Sequence, residues 1–388
     1  MHITNEPVIK NQVIEKISTS ATTGATSVAN IIYGRTKQGP LPIVDISRLD
    51  HRNPRIQRIA AKEIGEIAEK NGFLYLSNHG VPKIQIDDVY EVSKRFFHQS
   101  LEKKNRYYIG KSSNHRGYVP VSEKGDYADE IGPRRYEAFD MGLDLPKNDI
   151  DFISGHPLLG PNVWPDIDGF KTCLSRYYSQ MQRIGKCMCR AFEMALNVPT
   201  GYFTKHINRP VSQLRLIHYF QSTNRMPSGK DTNMGAHTDY ECFTILHSYT
   251  PGLQILDLNN KWIDAPPVAD TFYFNIGDML EAWSNGRLVA TPHRVLNSGE
   301  ERYSIPYFFA TDYDTVIEPL ATQSNASSNK EVLTKKYTPM IAGRHLLNQL
   351  LRDFPYLKRR YEQKLSSLSC SGLQNPFESR IREVALLH

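Results

Sequence analysis

Six short segments between residues 214 and 309 are rich in β-branched and aromatic residues and are separated by turn-forming residues such as Gly, Pro and Asn. They cover residues 214–220, 242–247, 253–256, 271–276, 289–293 and 303–309. Many short strands with regular turn signals are typical of a sandwich or a barrel, and a double-sheet jelly roll is one arrangement of such strands. A β core of this kind is the strongest constraint that the chain places on its fold.

Helical patterns precede and follow this core. Apolar residues recur at intervals of three and four between Ile56 and Ala68, which indicates an amphipathic helix, and a second helix is predicted over residues 84–97. A long helix is predicted over residues 169–196, with Pro199 just past its end, and another begins at about residue 342. Short strands are predicted at 41–46 and 73–76, and residues 106–165 have the composition of pocket-lining loops and extended strands. The predicted fold class is therefore mixed α and β.

Composition places the chain among ordinary globular proteins. Hydrophobic residues make up 40% and charged residues 23% of the 388 residues, which is usual for such proteins. No apolar run approaches the roughly 18 residues of a membrane span, and the N-terminal stretch lacks the apolar segment of a signal peptide. We therefore expect a cytoplasmic protein without membrane contact, in which residues 1–38 form a partly ordered arm.

Charge and cysteine usage exclude two further classes. The formal net charge is +6, but Lys and Arg are spread along the chain and run together only at Lys358-Arg359-Arg360. Nucleic-acid binding requires a basic cluster or stripe, so we expect a small-molecule substrate instead, and a monomer or weak homo-oligomer. The five cysteines are odd in number and scattered, which does not indicate a disulfide framework.

His237, Asp239 and His293 have the residue types and spacing of a metal site. His237 and Asp239 are two residues apart, and residues i and i+2 of a strand project from the same face. Two imidazoles and one carboxylate that leave coordination positions open form the facial triad of non-haem Fe(II) oxygenases. A zinc hydrolase can use the same three residue types, so the triad alone leaves both metals open.

Arg302 and Ser304 favour iron over zinc. Their spacing again places both side chains on one face of a strand. A guanidinium binds a carboxylate through two parallel hydrogen bonds, and the Ser hydroxyl can add another. An iron triad beside such an acid clamp suits a 2-oxo acid, whose keto-acid end chelates the metal while its far carboxylate is held.

Together with motifs elsewhere in the chain, these residues resemble the isopenicillin N synthase-like family of Fe(II)/2-oxoglutarate-dependent dioxygenases. The resemblance covers about residues 40 to 345. Besides the triad and the clamp it includes Leu41-Pro42-Ile43-Val44-Asp45, Gly72-Phe73, Asn78-His79-Gly80-Val81, Arg116-Gly117-Tyr118, Leu214-Arg215-Leu216, Pro251-Gly252-Leu253-Gln254, Asn275-Ile276-Gly277-Asp278 and Trp283-Ser284-Asn285-Gly286-Arg287.

The resemblance implies a distorted double-stranded β-helix, that is, a jelly-roll, cupin-like core with packed N-terminal and C-terminal helices. It implies catalytic iron ligands and anchors for 2-oxoglutarate, with O₂ as a further co-substrate. Near the implied anchor Tyr219, one polar neighbour of the co-substrate is missing, because Ile217 stands where plant members of the family carry Asn. The implied iron ligands are His237, Asp239 and His293, and the implied anchors are Arg302, Ser304 and Tyr219.

The implied activity is oxidation of an unactivated C–H bond in a small, carboxylated amino-acid-derived or secondary metabolite. Hydroxylation, desaturation and oxidative ring closure all remain open, with succinate and CO₂ as co-products. One alternative is an oxidase or oxidative cyclase of the same family that does not consume 2-oxoglutarate, and a more remote one is a zinc-dependent hydrolase on a cupin-like barrel. Candidate substrate contacts are Tyr118, Arg116, Arg135 and Phe308.

The chain is predicted to divide into five regions. The core is expected to be preceded by an N-terminal region and a long helix and followed by C-terminal helices, while Asn275, Gly277 and Asp278 are expected to serve turns. The regions are an arm at 1–38, an N-terminal dioxygenase region at 39–165, a long-helix region at 166–210, the jelly-roll core at 211–318 and a C-terminal helical region at 319–388.

Overall fold

The computed structural model describes residues 41–121, 135–221, 231–321 and 336–365. All of these belong to one unit, residues 39–388, and residues 1–38 lie outside the described residues. The five predicted regions therefore stay predictions, and the predicted arm lies outside the described part of the chain. The described residues include no helix that is long and apolar enough to cross a membrane.

The strands form two main sheets and one small pair. The larger sheet has the order β1-β2-β10-β7-β12-β5-β4-β3, the smaller has the order β6-β11-β8-β9, and β13 pairs with β14. The strands are β1 Ile43–Asp45, β2 Phe73–Ser77, β3 Gly117–Val119, β4 Tyr136–Gly142, β5 Gln213–Tyr219, β6 Thr232–His237, β7 Phe243–His247, β8 Leu253–Leu256, β9 Trp262–Asp264, β10 Thr271–Ile276, β11 His293–Leu296, β12 Arg302–Phe309, β13 Val316–Ile317 and β14 Met340–Ile341.

All pairings in these sheets are antiparallel except that of β1 with β2. The two main sheets meet where the ring of Phe73 on β2 packs edge-on against His293 on β11, with 5.4 Å between ring centroids. The predicted mixed α and β class with a jelly-roll core is confirmed.

Helices flank the sheets as the apolar periodicity predicted. The longest, of 26 residues, buries a stripe that includes Tyr177, Ile184 and Phe192. A Cβ at its Gly185 would lie 2.2 Å from the Phe309 ring on β12, so this helix packs directly behind the core strands. The helices are α1 Pro54–Lys70, α2 Lys83–Phe97, α3 Leu101–Asn105, α4 Ile150–Ile153, α5 Phe170–Ala195, α6 Asp278–Trp283, α7 Ala342–Asp353 and α8 Pro355–Leu365.

The register of β5 and β12 determines which side chains face the inside of the barrel. Arg302 pairs with Tyr219, and Ser304 pairs with Ile217. Because side chains alternate along a strand, Arg215 on β5 shares the face of Tyr219. We call this the inner face of the larger sheet, and the opposite face, which packs against the helices, the outer face.

The predicted strand at residues 289–293 is wrong, because regular pairing begins only at His293. The backbone before it is engaged elsewhere: the N–H of Val289 donates to the carbonyl of Ala68, and that of Ala290 donates to the carboxylate of Glu281. Pro292 has no N–H to offer a ladder. Strand β9 and helix α6 were not predicted.

Candidate metal and co-substrate site

Three ionisable side chains converge at one point of the barrel. His237 is the last residue of β6, and it pairs in register with His293, the first residue of β11. Asp239 lies two residues past the end of β6, so the expectation that it sits on a strand is wrong. Its carboxylate nevertheless joins the two imidazoles, and one ligand atom from each residue lies within 4.8 Å of the other two.

Backbone carbonyls orient both imidazoles. Nδ1 of His237 lies 2.9 Å from the carbonyl oxygen of Gly235, and Nδ1 of His293 lies 3.1 Å from that of Thr291. A carbonyl oxygen can only accept, so each Nδ1 carries the proton and each Nε2 keeps its lone pair. Both Nε2 atoms point at Oδ1 of Asp239, at 3.7 and 3.6 Å. This is the arrangement in which partners behind the ligands fix their orientation.

The carboxylate of Asp239 is oriented in the same way. Its Oδ2 accepts a hydrogen bond of 2.5 Å from the Thr244 hydroxyl and one of 2.7 Å from the Asn275 amide. Oδ1 is thereby left for a metal. Asn275 was expected to serve a turn, but it lies within β10 and its side chain holds a candidate ligand.

The turn after β10 positions the backbone that carries Asp239. The N–H of Asp278 donates to the carbonyl of Asp239 at 2.8 Å, and the N–H of Gly277 donates to that of Cys242 at 2.9 Å. A Cβ on Gly277 would lie 2.2 Å from the carbonyl oxygen of Glu241. Only glycine permits this close approach, so the expected structural role of Gly277 agrees with the structure.

The charges of the three side chains are matched to a cation. Burial lowers the pKa of His237 to about 4, and nearby His293 acts in the same direction, so this ring is neutral at pH 7. Burial alone would raise the pKa of Asp239, but the two imidazoles and the Thr244 hydroxyl hold it well below its usual range. Burial would lower the pKa of His293, yet the carboxylate of Asp239 outweighs this and raises it. Two nitrogen donors and one anionic oxygen suit Fe(II).

The two residues of the predicted acid clamp also lie side by side in the structure. Arg302 and Ser304 share the inner face of β12, and the Arg302 guanidinium lies 4.8 Å above the ring of Tyr219 on the neighbouring strand. Burial raises the pKa of Tyr219, and this is opposed by the charge of Arg302 and by hydrogen bonding to Ser304 and Arg302. The three candidate anchors are therefore in mutual contact.

Arg302 lacks an anionic partner within the described part of the chain. Its side chain is buried, its Nε donates to the carbonyl of Pro251 at 3.2 Å, and its Nη1 has no hydrogen-bond partner. A buried guanidinium is costly unless its charge is paired. A carboxylate between Arg302 and Ser304 would remove that cost, so the site fits the far end of 2-oxoglutarate.

Comparisons with known proteins agree with this geometry. Residues 41–167 match the family model described as non-haem dioxygenase in morphine synthesis N-terminal, and residues 211–311 match the 2OG-Fe(II) oxygenase superfamily. A homoarginine-6-hydroxylase of Glycine max is 33% identical over 81% of this chain and 97% of its own. The chain belongs to the 2-oxoglutarate–Fe(II) oxygenase family.

Two further relatives support this assignment. The 2-oxoglutarate-Fe(II) type oxidoreductase hxnY of Emericella nidulans is 30% identical over 77% of this chain and 86% of its own. The crystal structure of a full-length Neurospora crassa protein in complex with alpha-KG superposes with a TM-score of 0.68 at 26% identity, covering 80% of this chain and 96% of that one. The protein is a dioxygenase that uses Fe(II) and 2-oxoglutarate, which confirms the expected cofactors.

Two predicted substrate contacts of this oxygenase are engaged by other parts of the fold. Tyr118 pairs with Phe139 on β4, packs against Phe96 of α2 and donates a hydrogen bond of 2.5 Å to Glu137, all on the outer face. The guanidinium of Arg116 is buried and donates to three backbone carbonyls, those of residues 114, 115 and 158. Tyr118 therefore lies on the outer face, whereas the Arg116 guanidinium binds backbone carbonyls next to Gly142 of β4.

The other two predicted contacts have different surroundings. Arg135 is partly exposed and forms an ion pair with Asp231. Phe308 lies on the inner face of β12, where it pairs with Thr244, the residue that bonds Asp239. Of the four predicted contacts, Phe308 is therefore the one that the register places beside the candidate ligands.

Arg215 is an inner-face residue whose role the sequence did not reveal. Its Nε and Nη2 donate to the buried carboxylate of Asp140 at 2.6 and 2.8 Å. The carbon of its guanidinium lies 5.8 Å from the ring centroid of Phe308 and 5.9 Å from that of Phe354. The alternation of Arg215, Ile217 and Tyr219 along one strand was the signal that could have placed it on this face.

Proposed function

We propose that this oxygenase oxidises an unactivated C–H bond in a small carboxylated metabolite, with the amino-acid derivatives as the first class to consider. His237, Asp239 and His293 would hold Fe(II), and Arg302, Ser304 and Tyr219 would hold the far carboxylate of 2-oxoglutarate. When bound, the metal and the co-substrate supply an oxidant strong enough to break such a bond, with succinate and CO₂ as co-products. The protein orients both reactants and keeps water away.

The buried, unpaired Nη1 of Arg302 is the observation that carries the co-substrate assignment. An Arg and a Ser on one strand face can bind both oxygens of a carboxylate. The ring of Tyr219 closes the other side of the guanidinium and fixes its plane. A dicarboxylic 2-oxo acid that chelates the metal at its other end satisfies this clamp.

Arg215 supports the proposed substrate class. Among the described residues its side chain bonds only to Asp140, through Nε and Nη2, so its Nη1 remains a donor on the inner face. The positive charge of Arg215 also acts on His237. Burial is the largest cause of the lowered pKa of His237, and the charge of Arg215 lowers it further. We infer that Arg215 binds the carboxylate of the substrate while Phe308 packs against its apolar part.

One relative's name supports this class. The Glycine max protein that is 33% identical is named a homoarginine-6-hydroxylase, and homoarginine is an amino acid with a free carboxylate. An amino acid or a close derivative is therefore the first group of compounds to test. The zinc-hydrolase alternative has no support among these relatives.

A turnover screen tests the proposal. The full-length protein is supplied with Fe(II), 2-oxoglutarate and a panel of amino acids and related acids, and succinate release above the substrate-free background is measured. We expect succinate and oxidised product in equal amounts for a carboxylated compound. Product without succinate would instead support the family oxidase that does not consume 2-oxoglutarate. A product that gains one oxygen indicates hydroxylation, and one that loses two hydrogens indicates desaturation or ring closure.

The role of Arg215 is tested by Arg215→Lys, which keeps a positive charge next to Asp140. We expect the KM for a carboxylated substrate to rise about tenfold, because Lys cannot bind the carboxylate and Asp140 in the same planar way. The KM for 2-oxoglutarate should not change. Arg209→Lys is the matched control, since Arg209 pairs with Asp149 and Asp151 at a partly exposed position.

A further inference from the structure

A network of ionisable side chains lies directly behind the co-substrate clamp, on the outer face of the same two strands. His218 lies between Ile217 and Tyr219 on β5, and Tyr303 lies between Arg302 and Ser304 on β12. The two outer residues are register partners, and their rings stack with 4.7 Å between centroids and 16° between planes. The two rings therefore lie directly behind the anchors, on the same backbone segments.

His218 bridges two carboxylates. Its Nδ1 lies 2.8 Å from Oε1 of Glu137 on β4, and its Nε2 lies 2.8 Å from Oε1 of Glu301. An ionised carboxylate can only accept, so the ring makes both hydrogen bonds only when both nitrogens carry a proton. Hydrogen bonds to a charged ring are among the stronger ones in proteins.

Both carboxylates are held in the ionised form. Burial would raise the pKa of Glu137, but hydrogen bonds from His218, Lys104 and Tyr118 outweigh it and lower the pKa. Burial also acts to raise the pKa of Glu301, and hydrogen bonds from His98, His218 and Tyr303 lower it.

The network ties several elements to the strand pair. Lys104 of α3 donates to Glu137 at 2.6 Å, and Tyr118 of β3 donates to the same carboxylate. On the other side, Glu301 accepts from the Tyr303 hydroxyl at 3.1 Å and lies 3.1 Å from Nε2 of His98, just after α2. These are the titratable groups that face His218 from the elements packed around it.

The bridge lies at the end of the ladder between β5 and β12. The paired residues of this ladder end with Tyr219 opposite Arg302, and Glu301 immediately precedes Arg302. Strand ends fray more readily than strand centres. The contact from His218 to Glu301 therefore closes the strand pair at the point where the anchors are.

We propose that His218 is a positioning residue for the co-substrate: by bridging Glu137 and Glu301, it holds Tyr219 and Arg302 in the register that binds the far carboxylate of 2-oxoglutarate. The inference rests on the proposed anchor role of Arg302. His218 does not touch the co-substrate and acts through its neighbours on the two strands. A displacement of about 1 Å in such a support can weaken a site strongly.

The proposed role of His218 predicts different effects on the binding of two acids that chelate a metal. 2-Oxoglutarate needs both the metal and the Arg302 clamp, whereas oxalate chelates the metal but has no far carboxylate to reach the clamp. A loosened strand pair should weaken 2-oxoglutarate binding and leave oxalate binding unchanged. General loss of stability would instead affect both acids.

The test is calorimetric titration of both acids into the full-length protein loaded with Mn(II), which replaces Fe(II) without turnover. Glu301→Ala removes one end of the bridge at a half-exposed position, and His218→Phe removes both hydrogen bonds while keeping a ring against Tyr303. We expect each variant to bind 2-oxoglutarate about tenfold more weakly, the effect of one charge-assisted hydrogen bond. Glu300→Ala, at the exposed neighbouring position, is the matched control and should bind like the wild type.

A double variant adds a second readout. Because both single changes break the same bridge, Glu301→Ala together with His218→Phe should weaken 2-oxoglutarate binding no more than about one single change does. Additive losses would overturn the proposal, and so would unchanged 2-oxoglutarate affinity or equal losses for both acids. Arg302→Gln is the reference: if it leaves 2-oxoglutarate affinity unchanged, the anchor assignment itself fails. If only Arg302→Gln weakens binding, the anchor stands and the role of His218 is refuted.

Discussion

The Asn275 amide donates a 2.7 Å hydrogen bond to Oδ2 of Asp239, while Oδ1 of the same carboxylate faces the Nε2 atoms of His237 and His293. Asn275 lies on β10 and His293 on β11, so the geometry at the metal depends on strands from both sheets. The amide thereby selects which carboxylate oxygen is offered to the metal.

We expect Asn275→Ala to weaken metal binding. The change leaves Thr244 as the one remaining side-chain donor to Oδ2 among the described residues, so the carboxylate can rotate away from the ligand position. Loss of a partner behind a metal ligand typically lowers affinity about 10- to 100-fold. Calorimetric titration with Mn(II) measures the metal affinity directly. Asn148→Ala, at an exposed position, serves as the control, and equal affinity in both variants would contradict the role of Asn275.

Arg302→Lys should raise the KM for 2-oxoglutarate by about 10- to 100-fold, because Lys offers a point charge instead of a planar pair of donors. The metal ligands are untouched, so metal affinity should stay the same. Steady-state succinate release at varied 2-oxoglutarate gives the KM, and Arg287→Lys, which changes an exposed pair with Glu69, is the control. An unchanged KM would place the far carboxylate somewhere else.

The residues that the sequence placed well are those whose geometry follows from neighbours in the chain. Arg302 and Ser304 share a face because they are two residues apart on a strand. The roles of Arg215 and Asn275 were not predicted. Arg215 binds Asp140, which lies 75 residues away in the chain, and Asn275 binds Asp239, which lies 36 residues away. Such pairings depend on strand register, which the alternation of apolar residues does not determine.

The same limit explains why Tyr118 was placed on the wrong face. Tyr118 was chosen because it lies within residues 106–165, which have the composition of pocket-lining loops, but the pairing of its strand with β4 places its ring on the outer face. Phe308 follows the clamp on its own strand, and its even spacing from Ser304 places it on the inner face. Membership of a segment therefore predicts proximity to the site, and only the pairing of strands predicts which side chains enter it.

Gly185→Ala should destabilise the fold. The new methyl group would lie 2.2 Å from the Phe309 ring, which is itself stacked on Phe243 with 4.4 Å between centroids. Overpacking costs about 1–3 kcal/mol, which outweighs the gain of up to about 1 kcal/mol from replacing a helical Gly with Ala. Thermal unfolding measures the difference, and Lys186→Ala, on the exposed side of the same helix, is the control. A melting temperature at or above that of the wild type would show that the helix can move away from β12 at little cost.

The buried His345 should make stability depend on pH in the acidic range. Its ring lies on α7, and its Nε2 has no hydrogen-bond partner in the described part of the chain. Burial lowers the pKa of His345 to about 4, against the opposing effect of a hydrogen bond to the backbone of Tyr240. Between an unfolded pKa of about 6.5 and this lower folded value, the unfolded chain binds more protons, so stability falls as the pH falls through that window.

At pH 5 the contribution of His345 should be smaller than at pH 7.5 by about 2 kcal/mol, from the proton-linkage relation. His345→Leu removes the titrating ring, and its loss of the Tyr240 contact shifts stability by the same amount at every pH. Urea unfolding of the metal-free protein at both pH values should therefore show a smaller acid-induced loss in this variant than in the wild type. Arg344→Leu, at an exposed position on the same helix, should leave the difference between the two pH values unchanged. Equal acid-induced losses in the wild type and His345→Leu would mean that the ring takes up its proton within the folded protein at little cost, through local opening of α7.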